Sequence, residues 1–470
     1  MRTHVEIERK YEAESDIGVP ALDTIPGVAA TTGPRQETLE ATYYDTPDHR
    51  LVRAGMTLRR REGGEDAGWH LKVPSTDDER TEIRLPPNGE LDQLADLTLG
   101  YTRGAPLHPV ATITTDRTHW DLLGRKGKLL AEVSDDRVTS GAKQWREIEV
   151  ELGEGDPELL DSAEQALRQA GFHRSKAPSK LSRVLGTKPE TAPEPSRKAT
   201  AGETVLAYVR TQVDRIKHYD LLVRQDADDA VHQMRVAVRR LRSALRTYKR
   251  LVDSGDVASE LRWLGQRLST ARDLEVQYAR HRRTVGQLPA EAVPGPVQAR
   301  LTRHFAPEEE KARQVVLRTL RGRRYLRLLD QLDKLVEHPR LGKKAGRPAR
   351  KELPKHLNRA YRRTAQRVDA GEVHPARKAG KRLRYALEAA VPVLGKRADK
   401  ARKRVKAFTK AGGDHQDSVV ALPTLRELGT QAHLSGENAF TFGVLYGTER
   451  ANAAHLEPRA KETWRRVKWG

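Results

Sequence analysis

Charged and uncharged side chains alternate along the first third of the chain at the two-residue period of a β-strand. In the opening segment, residues 4–11, one face carries Glu6, Glu8 and Lys10, and the other carries Val5, Ile7 and Arg9. Burying unpaired charges is costly, so the charged face predicts a water-filled cavity rather than a core. A single strand of this kind is more simply interpreted as a sheet edge with one solvated face.

The same alternation recurs in later segments of this region. The charged faces carry Arg59 and Arg61 in 57–61, His70 and Lys72 in 69–72, Arg80, Glu82 and Arg84 in 80–84, Arg117 in 112–119, Glu132, Ser134 and Asp136 in 129–136, and Glu147, Glu149 and Glu151 in 145–152. So many charged strands are hard to explain as edges, since open edges invite pairing with other chains. A closed antiparallel barrel has no edges, and its lumen can hold charges and water. We therefore predict a barrel.

Both signs of charge face the predicted lumen, with acidic rows on the first and last two strands and basic rows between them. Carboxylates two residues apart suit Mg²⁺ or Mn²⁺. Arginine binds phosphate in a bidentate way, whereas lysine acts as a mobile point charge. This division into acidic and basic rows therefore predicts a polyanionic substrate that binds together with a divalent cation.

This ordered set of motifs, with Tyr43-Tyr44-Asp45-Thr46 and Ser179-Lys180-Leu181-Ser182, resembles the CYTH domain of the triphosphate tunnel metalloenzymes over residues 1–187. The resemblance implies an eight-stranded antiparallel tunnel that cleaves triphosphate-type substrates with the help of a metal. It implies phosphate contacts from Lys10, Arg59, Arg61, Lys72, Arg80, Arg117 and Lys180, metal ligation by Glu6, Glu8, Glu147 and Glu149, and Glu132 and Asp136 as further acidic residues of the wall. A one-residue shift of register would turn Asp135 inward in place of Asp136.

Residues 188–199 are predicted to form a linker, because the stretch around them contains three prolines and almost no large apolar side chain. The charge balance changes sign across this segment. Residues 1–187 carry a net charge of −8 and residues 188–470 carry +29, within the +21 of the whole chain. Two domains with different partners are therefore expected.

Apolar residues recur at helical spacing in the second part, for example at Val205, Val209, Val213 and Ile216. An internal repeat organises this part. Residues 231–245 match 373–387 at an offset of 142, and residues 272–276 match 416–420 at an offset of 144. The spacing predicts a duplicated helical bundle, with halves at roughly 200–335 and 350–470, related by a pseudo-twofold axis.

Each copy of the repeat carries a basic stripe at helical spacing. The first consists of His232, Arg235, Arg239 and Arg242, and the second of His374, Arg377, Lys381 and Arg384. Like charges on one helix face repel, so two matching stripes are favoured if a polyanion neutralises them. A solvated face, or histidines buried in the core, remain the simpler alternatives.

The stripes, together with Gly413-Asp414-His415-Gln416-Asp417, resemble the CHAD domain over residues 200–470. The resemblance implies an all-α domain of two four-helix bundles that binds inorganic polyphosphate, with the eight residues of the two stripes contacting the polymer. The order of a CYTH domain before a CHAD domain is itself a known bacterial arrangement.

The composition narrows the alternatives. The chain has no cysteine, which excludes disulfides and thiolate chemistry. No signal peptide and no run of 18 apolar residues are evident, so a soluble cytoplasmic protein is expected, which could associate with polyphosphate granules. Aromatic residues make up 5% of the chain, which weakens a role in binding single-stranded nucleic acid.

Two classes of function remain open. The first is a hydrolase of inorganic triphosphate or short polyphosphate that uses Mg²⁺ or Mn²⁺, with Glu149, Glu151 or a metal-bound hydroxide activating water. The second is a protein that binds polyphosphate, or nucleic acid non-specifically, and has a weak tunnel. A nucleoside or thiamine triphosphatase, or an ATP cyclase, is a further alternative.

Overall fold

The computed structural model describes residues 1–12, 17–76, 78–189 and 194–469. The chain divides into two compact units, Met1–Thr191 and Ala192–Gly470. The boundary falls in the segment predicted as a linker, of which residues 190–193 lie outside the described part.

The first unit is built on one antiparallel sheet. Its strands are β1 (Arg2–Glu12), β2 (Ala30–Asp45), β3 (Thr57–Glu62), β4 (Gly68–Pro74), β5 (Glu79–Leu85), β6 (His108–Leu123), β7 (Leu129–Ser140), β8 (Lys143–Leu152) and the short β9 (His173–Arg174). The order is β5-β4-β3-β2-β6-β7-β8-β1, and β1 pairs back with β5. The sheet therefore closes into an eight-stranded barrel, which confirms the prediction.

The apolar core of this unit lies outside the barrel wall. Ile148 and Val150 of β8 are fully buried, and they belong to a cluster with Leu160 and Leu167. The latter two lie on α3 (Glu158–Gln169). The other α-helices in the described part of this unit are α1 (Arg50–Arg53), α2 (Leu91–Thr102) and α4 (Lys180–Leu185). Because successive strand residues face opposite sides, burying the uncharged set outside leaves the charged set facing the lumen.

Asp45 ties the end of β2 to the start of the barrel's first helix. Its carboxylate accepts hydrogen bonds from the backbone N–H groups of Leu51 and Val52, each at 2.9 Å, and from that of Thr46 at 2.7 Å. The Asp45 side chain is fully buried, so no water can take its place as the hydrogen-bond acceptor for these N–H groups.

Asp45→Ala should lower the free energy of unfolding by about 1–3 kcal/mol, because it leaves buried donors unsatisfied. Asp48→Ala is the matched control, since that side chain is half exposed and pairs with Arg50 at the surface; it should change stability by no more than about 0.5 kcal/mol. Urea unfolding of the full-length chain measures both. Equal effects of the two substitutions would contradict this role for Asp45.

The second unit is helical, as predicted. Its helices are α5 (Ala201–Arg224), α6 (Ala230–Thr247), α7 (Val257–Arg267), α8 (Ser269–Val285), α9 (Val297–Arg321), α10 (Arg323–Glu337), α11 (Ala349–Asp369), α12 (Val373–Leu394), α13 (Lys396–Leu434) and α14 (Phe440–Arg465). Two-residue strands β10 (Val252–Asp253) and β11 (Arg340–Leu341) pair with each other. Among the described residues, two hydrophobic clusters of the unit each combine residues of the two repeats, so the repeats pack against each other.

Corresponding contacts recur in the two repeats. Arg235 of α6 forms an ion pair with Asp273 of α8 at 2.8 Å. At the equivalent position of α12, Arg377 has Asp417 of α13 as its leading electrostatic partner. The two sequence matches, which are separated along the chain, therefore meet in space within each repeat.

Candidate functional site

The barrel encloses a cavity of about 640 Å³ that is lined by charged side chains. The basic lining residues include Lys10, Arg59, Arg61, Lys72, Arg80, Arg84, Arg117 and Lys180, and the acidic ones include Glu6, Glu8, Glu82, Glu132, Glu149 and Glu151. All seven residues predicted to contact phosphate therefore face one cavity. Asp136 and Glu147, 0% and 2% exposed, lie in the wall beside it and bond Lys180.

Three carboxylates converge on one point of the wall. Asp136, Glu147 and Glu149 each offer an oxygen, and these oxygens lie within 4.8 Å of one another. Strand pairing brings them together, because Asp136 of β7 faces Glu147 of β8 and Glu149 follows two residues later on the same face. We call these three residues the carboxylate triad.

Lys180 lies at the centre of the carboxylate triad. Its Nζ is 2.8 Å from Asp136, 2.7 Å from Glu147 and 2.9 Å from Glu149. Lys180 is the first residue of α4, and Ser179 caps that helix by accepting the backbone N–H of Ser182. The cap fixes where the helix begins and so aims the ammonium group at the triad.

Arg117 completes this ion-pair network. Its guanidinium donates two hydrogen bonds of 2.7 Å to Asp136 and one of 3.0 Å to Glu149. Burial by itself would raise the pKa of Asp136, but Lys180 and Arg117 outweigh it and lower that pKa. Burial is likewise outweighed at Glu149, where Lys10, Lys180 and Arg117 hold the pKa well below its ordinary value. Asp136 and Glu149 are therefore ionised, and each is paired with both Lys180 and Arg117.

The β1 carboxylates occupy a neighbouring part of the cavity. Lys10 bonds Glu149 and lies 3.3 Å from Glu8, which also contacts Arg80 at 3.4 Å. Burial opposes ionisation of Glu8, yet Lys10 and Lys72 lower its pKa to about 2. Glu151 forms no ion pair with any described residue; burial, opposed by Lys72 and reinforced by Glu6 and Glu8, raises its pKa to about 7.

Glu6 lies beside Glu82, a residue for which the sequence pattern predicted no role. Lys72 Nζ is 2.6 Å from Glu6, and His70 Nδ1 is 2.9 Å from Glu82. Burial, opposed by Lys72 and reinforced by Glu82, raises the pKa of Glu6. The sequence could have identified Glu82 as a lumen residue, because it shares a strand face with Arg80 and Arg84.

The four predicted metal ligands and the two further acidic wall residues, Glu132 and Asp136, are thus spread over the cavity and do not form one cluster. Glu6 and Glu8 bond lysines of the lining, and Glu132 lies 3.2 Å from His119 Nδ1. The register on β7 is as predicted, since Asp135 points away from the lumen and bonds Arg146 at 2.8 Å. Within the described residues, three close carboxylate oxygens suited to Mg²⁺ or Mn²⁺ occur at the triad.

A tyrosine outside the predicted set also reaches the cavity. Tyr43, opposite Arg59 in the β2–β3 pair, accepts a 3.4 Å hydrogen bond from that guanidinium. Burial would raise the pKa of Tyr43, but Arg59 and Lys180 outweigh it and lower that pKa. Its place opposite a lumen-facing arginine depends on strand pairing, which the local sequence does not show.

In the helical unit, basic residues of both stripes meet. The Tyr385 hydroxyl accepts hydrogen bonds from Arg239 of the first repeat, at 3.3 Å, and from Arg384 of the second, at 2.8 Å. Burial and the nearby charges of Arg239 and Arg377 lower the pKa of Lys381 to about 7. We call the set formed by Arg235, Arg239, Arg377, Lys381 and Arg384 the basic groove.

The remaining stripe residues lie at the margins of this set. Burial, together with Arg272, lowers the pKa of His232 to about 4, and burial with Lys378 lowers that of His374. Both Nδ1 atoms are buried without a hydrogen-bond partner among the described residues. Arg242 is placed differently, because its leading charged neighbours are Arg262 and Arg246.

Comparison with known proteins agrees with both resemblances seen in the sequence. Residues 4–185 match the family model of the CYTH domain, and residues 207–426 match that of the CHAD domain. An uncharacterised protein of Mycobacterium tuberculosis is 36% identical over 505 aligned residues, covering 98% of this chain and 94% of that protein.

Solved structures are similar to each part of the chain. The CHAD domain from the plant Ricinus communis is 25% identical, covers 59% of this chain and 96% of its own, and gives a TM-score of 0.47. HpAC1 from Hippeastrum, described as an adenylyl cyclase-like protein with a dominant triphosphatase activity, is 15% identical over 40% of this chain and 97% of its own, with a TM-score of 0.26. Among the described helices, none has both the length and the apolar character needed to cross a bilayer.

Lys180→Met should increase the stabilisation that Mn²⁺ gives to the protein, because the ammonium group no longer competes for the oxygens of the carboxylate triad. Thermal unfolding with and without Mn²⁺ measures the effect, which we expect as a larger rise in Tm than in the wild type. Lys176→Met, at an exposed lysine four residues earlier, is the control and should behave like the wild type. The same Mn²⁺-induced shift in all three proteins would show that the metal does not bind at the triad.

Proposed function

Because the chain belongs to the family of proteins that join a CYTH domain to a CHAD domain, we propose that its barrel hydrolyses inorganic triphosphate or short polyphosphate with Mg²⁺ or Mn²⁺. We further propose that its helical unit binds inorganic polyphosphate. The observation that carries the first proposal is the single cavity lined by the seven predicted phosphate ligands and by carboxylates. Such a lining matches a linear polyanion accompanied by a cation.

The lining favours an inorganic substrate over a nucleotide. Among the described residues that line the cavity, Tyr43 is the one phenylalanine, tyrosine or tryptophan. Its hydroxyl is engaged by Arg59 and its side chain is buried, so it offers no open face on which a base could stack. Basic side chains on several strands would instead contact successive phosphates of a chain.

Different residues of the barrel would bind the phosphates, hold the metal and orient the attacking water. Lys10, Lys180 and Arg117 now neutralise carboxylates, and each can exchange a carboxylate partner for a phosphate oxygen of the substrate. A divalent cation held by the carboxylate triad would supply charge that stabilises the negative phosphoryl oxygens. Of the two carboxylates predicted to activate water, Glu149 is held by three cations, whereas Glu151 is unpaired within the described residues. We assign the orientation of the attacking water to Glu151.

Replacing both Glu147 and Glu149 by Gln should lower metal-dependent phosphate release from tripolyphosphate by a factor on the order of 100 or more, because the triad loses two charged oxygen ligands. Glu154→Gln is the control: Glu154 lines the cavity but is 75% exposed, so its activity should match the wild type. Tripolyphosphate, ATP and thiamine triphosphate are compared with Mg²⁺, Mn²⁺ and EDTA. Undiminished activity in EDTA rejects the metal mechanism, and preference for ATP rejects the inorganic substrate.

The polyphosphate proposal is supported by the charge of the helical unit. Residues 188–470 carry a net charge of +29, and the basic groove collects cations of both repeats around Tyr385. Burial and neighbouring arginines lower the pKa values of Arg377 and Lys381, and the carboxylate of Asp417 offsets this lowering only in part. A bound polyanion would relieve this repulsion and release counterions, so its affinity should fall steeply with salt.

Replacing Arg239 by Gln and Lys381 by Met should weaken binding of polyphosphate by about tenfold or more and flatten its salt dependence, because two groove charges are removed. The matched control, Arg303→Gln with Lys311→Met, removes the same charges from exposed positions on α9 and should bind like the wild type. Binding to the full-length chain is measured in EDTA, with duplex DNA as competitor at equal phosphate concentration. If DNA competes best, or if both variants bind equally, the groove is not a polyphosphate site.

A further inference from the structure

A short loop of the barrel carries a carboxylate to the cavity. The loop, residues 63–67, joins β3 to β4, and its Asp66 is one of the residues that line the cavity. Asp66 forms an ion pair with Arg61 of β3 and lies 3.7 Å from Arg84 of β5. This carboxylate therefore holds a guanidinium group that was predicted to contact phosphate.

The backbone on both sides fixes the position of this loop. Gly63 and Gly64 have positive φ angles of 82° and 72°, which glycine adopts without strain. A Cβ atom at Gly63 would lie 2.6 Å from the Thr38 carbonyl oxygen, so the loop lies directly against β2. At the other end, His70 Nε2 of β4 is 2.8 Å from the Asp66 carbonyl oxygen. The loop is thus packed on β2 and bonded to β4, which places the Asp66 side chain beside the arginines.

Arg61 requires an anionic partner. Its side chain is 8% exposed, and a guanidinium removed from water is costly without an opposite charge. Burial and the like charges of Arg59 and Arg117 lower the pKa of Arg61 to about 9. Within the described part of the chain, Asp66 is the one carboxylate that forms an ion pair with Arg61, and the Arg61 Nε is buried without a hydrogen-bond partner. Asp66 therefore supplies the charge that a bound phosphate would supply.

We propose that Asp66 is an internal competitor for phosphate, which holds Arg61 in the absence of substrate, yields it to the substrate and binds it again as the orthophosphate product leaves. This inference rests on the proposed hydrolysis of triphosphate in the barrel. Because a short loop joins Asp66 to the site, it competes at an effective concentration on the order of millimolar or more.

The competition affects substrate and product with different consequences. Tripolyphosphate can also contact other cations of the lining, such as Lys10 and Lys180, and these contacts compensate for displacing Asp66. A single orthophosphate has fewer oxygens with which to reach the same cations, so the return of Asp66 to Arg61 limits how long it is retained. The carboxylate would therefore lower the affinity for both anions and prevent the product from blocking the lumen.

The test compares Asp66→Asn with Glu62→Gln in the full-length chain. Asp66→Asn removes the charge but keeps the size of the side chain. Glu62→Gln removes the same charge from the adjoining end of β3, where Glu62 lies 3.6 Å from Arg60 and is not one of the residues that line the cavity. In Asp66→Asn, the KM for tripolyphosphate and the inhibition constant of orthophosphate should both fall about fivefold or more, and kcat should not rise. Glu62→Gln should behave like the wild type.

A second measurement separates competition from a purely structural ion pair. Without phosphate, Asp66→Asn should unfold at a lower Tm than the wild type, because Arg61 has lost its partner. Orthophosphate in EDTA should raise the Tm of Asp66→Asn more than that of the wild type or Glu62→Gln, since it replaces the missing charge. Binding of orthophosphate by the helical unit is common to the three proteins and cancels in this comparison.

Two results would overturn the inference. Unchanged KM and inhibition constants in Asp66→Asn show that Asp66 does not compete with phosphate, and an equal response of Tm to orthophosphate in all three proteins shows that the ion pair is structural. Both results leave the proposed hydrolysis intact if the wild type releases phosphate from tripolyphosphate. If the wild type releases none, the proposed function fails, and the response of Tm to orthophosphate still decides whether Asp66 competes for Arg61.

Discussion

The pairing of buried charges is the interaction on which the barrel depends. An ionised side chain removed from water is costly unless an opposite charge and hydrogen bonds replace the lost hydration. The lumen meets this requirement by alternating the two signs: Lys180 lies among three carboxylates, and Arg117 bonds two of them. The closed sheet keeps these partners in register, since they come from three adjacent strands, β6, β7 and β8, and from α4.

This pairing has a consequence for binding. Lys10, Lys72 and Lys180, which could hold a phosphate, are already held by carboxylates, and the carboxylates of the triad are held by cations. A polyanion and a divalent cation that arrive together can exchange partners with both sets, so the charge balance is preserved. Either one alone leaves part of the network uncompensated.

The helical unit meets the opposite condition. Its core is apolar and its basic groups lie at and near the surface, where Arg235 keeps a carboxylate partner and Arg239 and Arg384 share the Tyr385 hydroxyl. In the described part of this unit, carboxylates neutralise only some of these basic groups. In the proposed function the two units would therefore meet a phosphate chain in different ways, one in a closed lumen and the other on a basic surface.

Local pattern alone was enough to predict much of this protein. Strand alternation identified which side of β1, β3 and β8 faces the lumen, because the two-residue period of a strand is a local property. The choice of Asp136 over Asp135 depended on the register of β7, which the pairing with β8 decided. The repeat at an offset of 142 residues identified the two basic stripes in the same way. The charge difference between the two halves likewise needs only the composition.

Partners that are distant in the chain were decided by the tertiary structure. The convergence of Asp136, Glu147 and Glu149 on Lys180, and the pairing of Glu6 with Glu82, depend on strand order and on where α4 begins. Likewise, helix packing joins the two stripes at Tyr385 and separates Arg242 into a different group. A sequence period determines the face on which a residue lies, but only the packing of elements determines which faces meet.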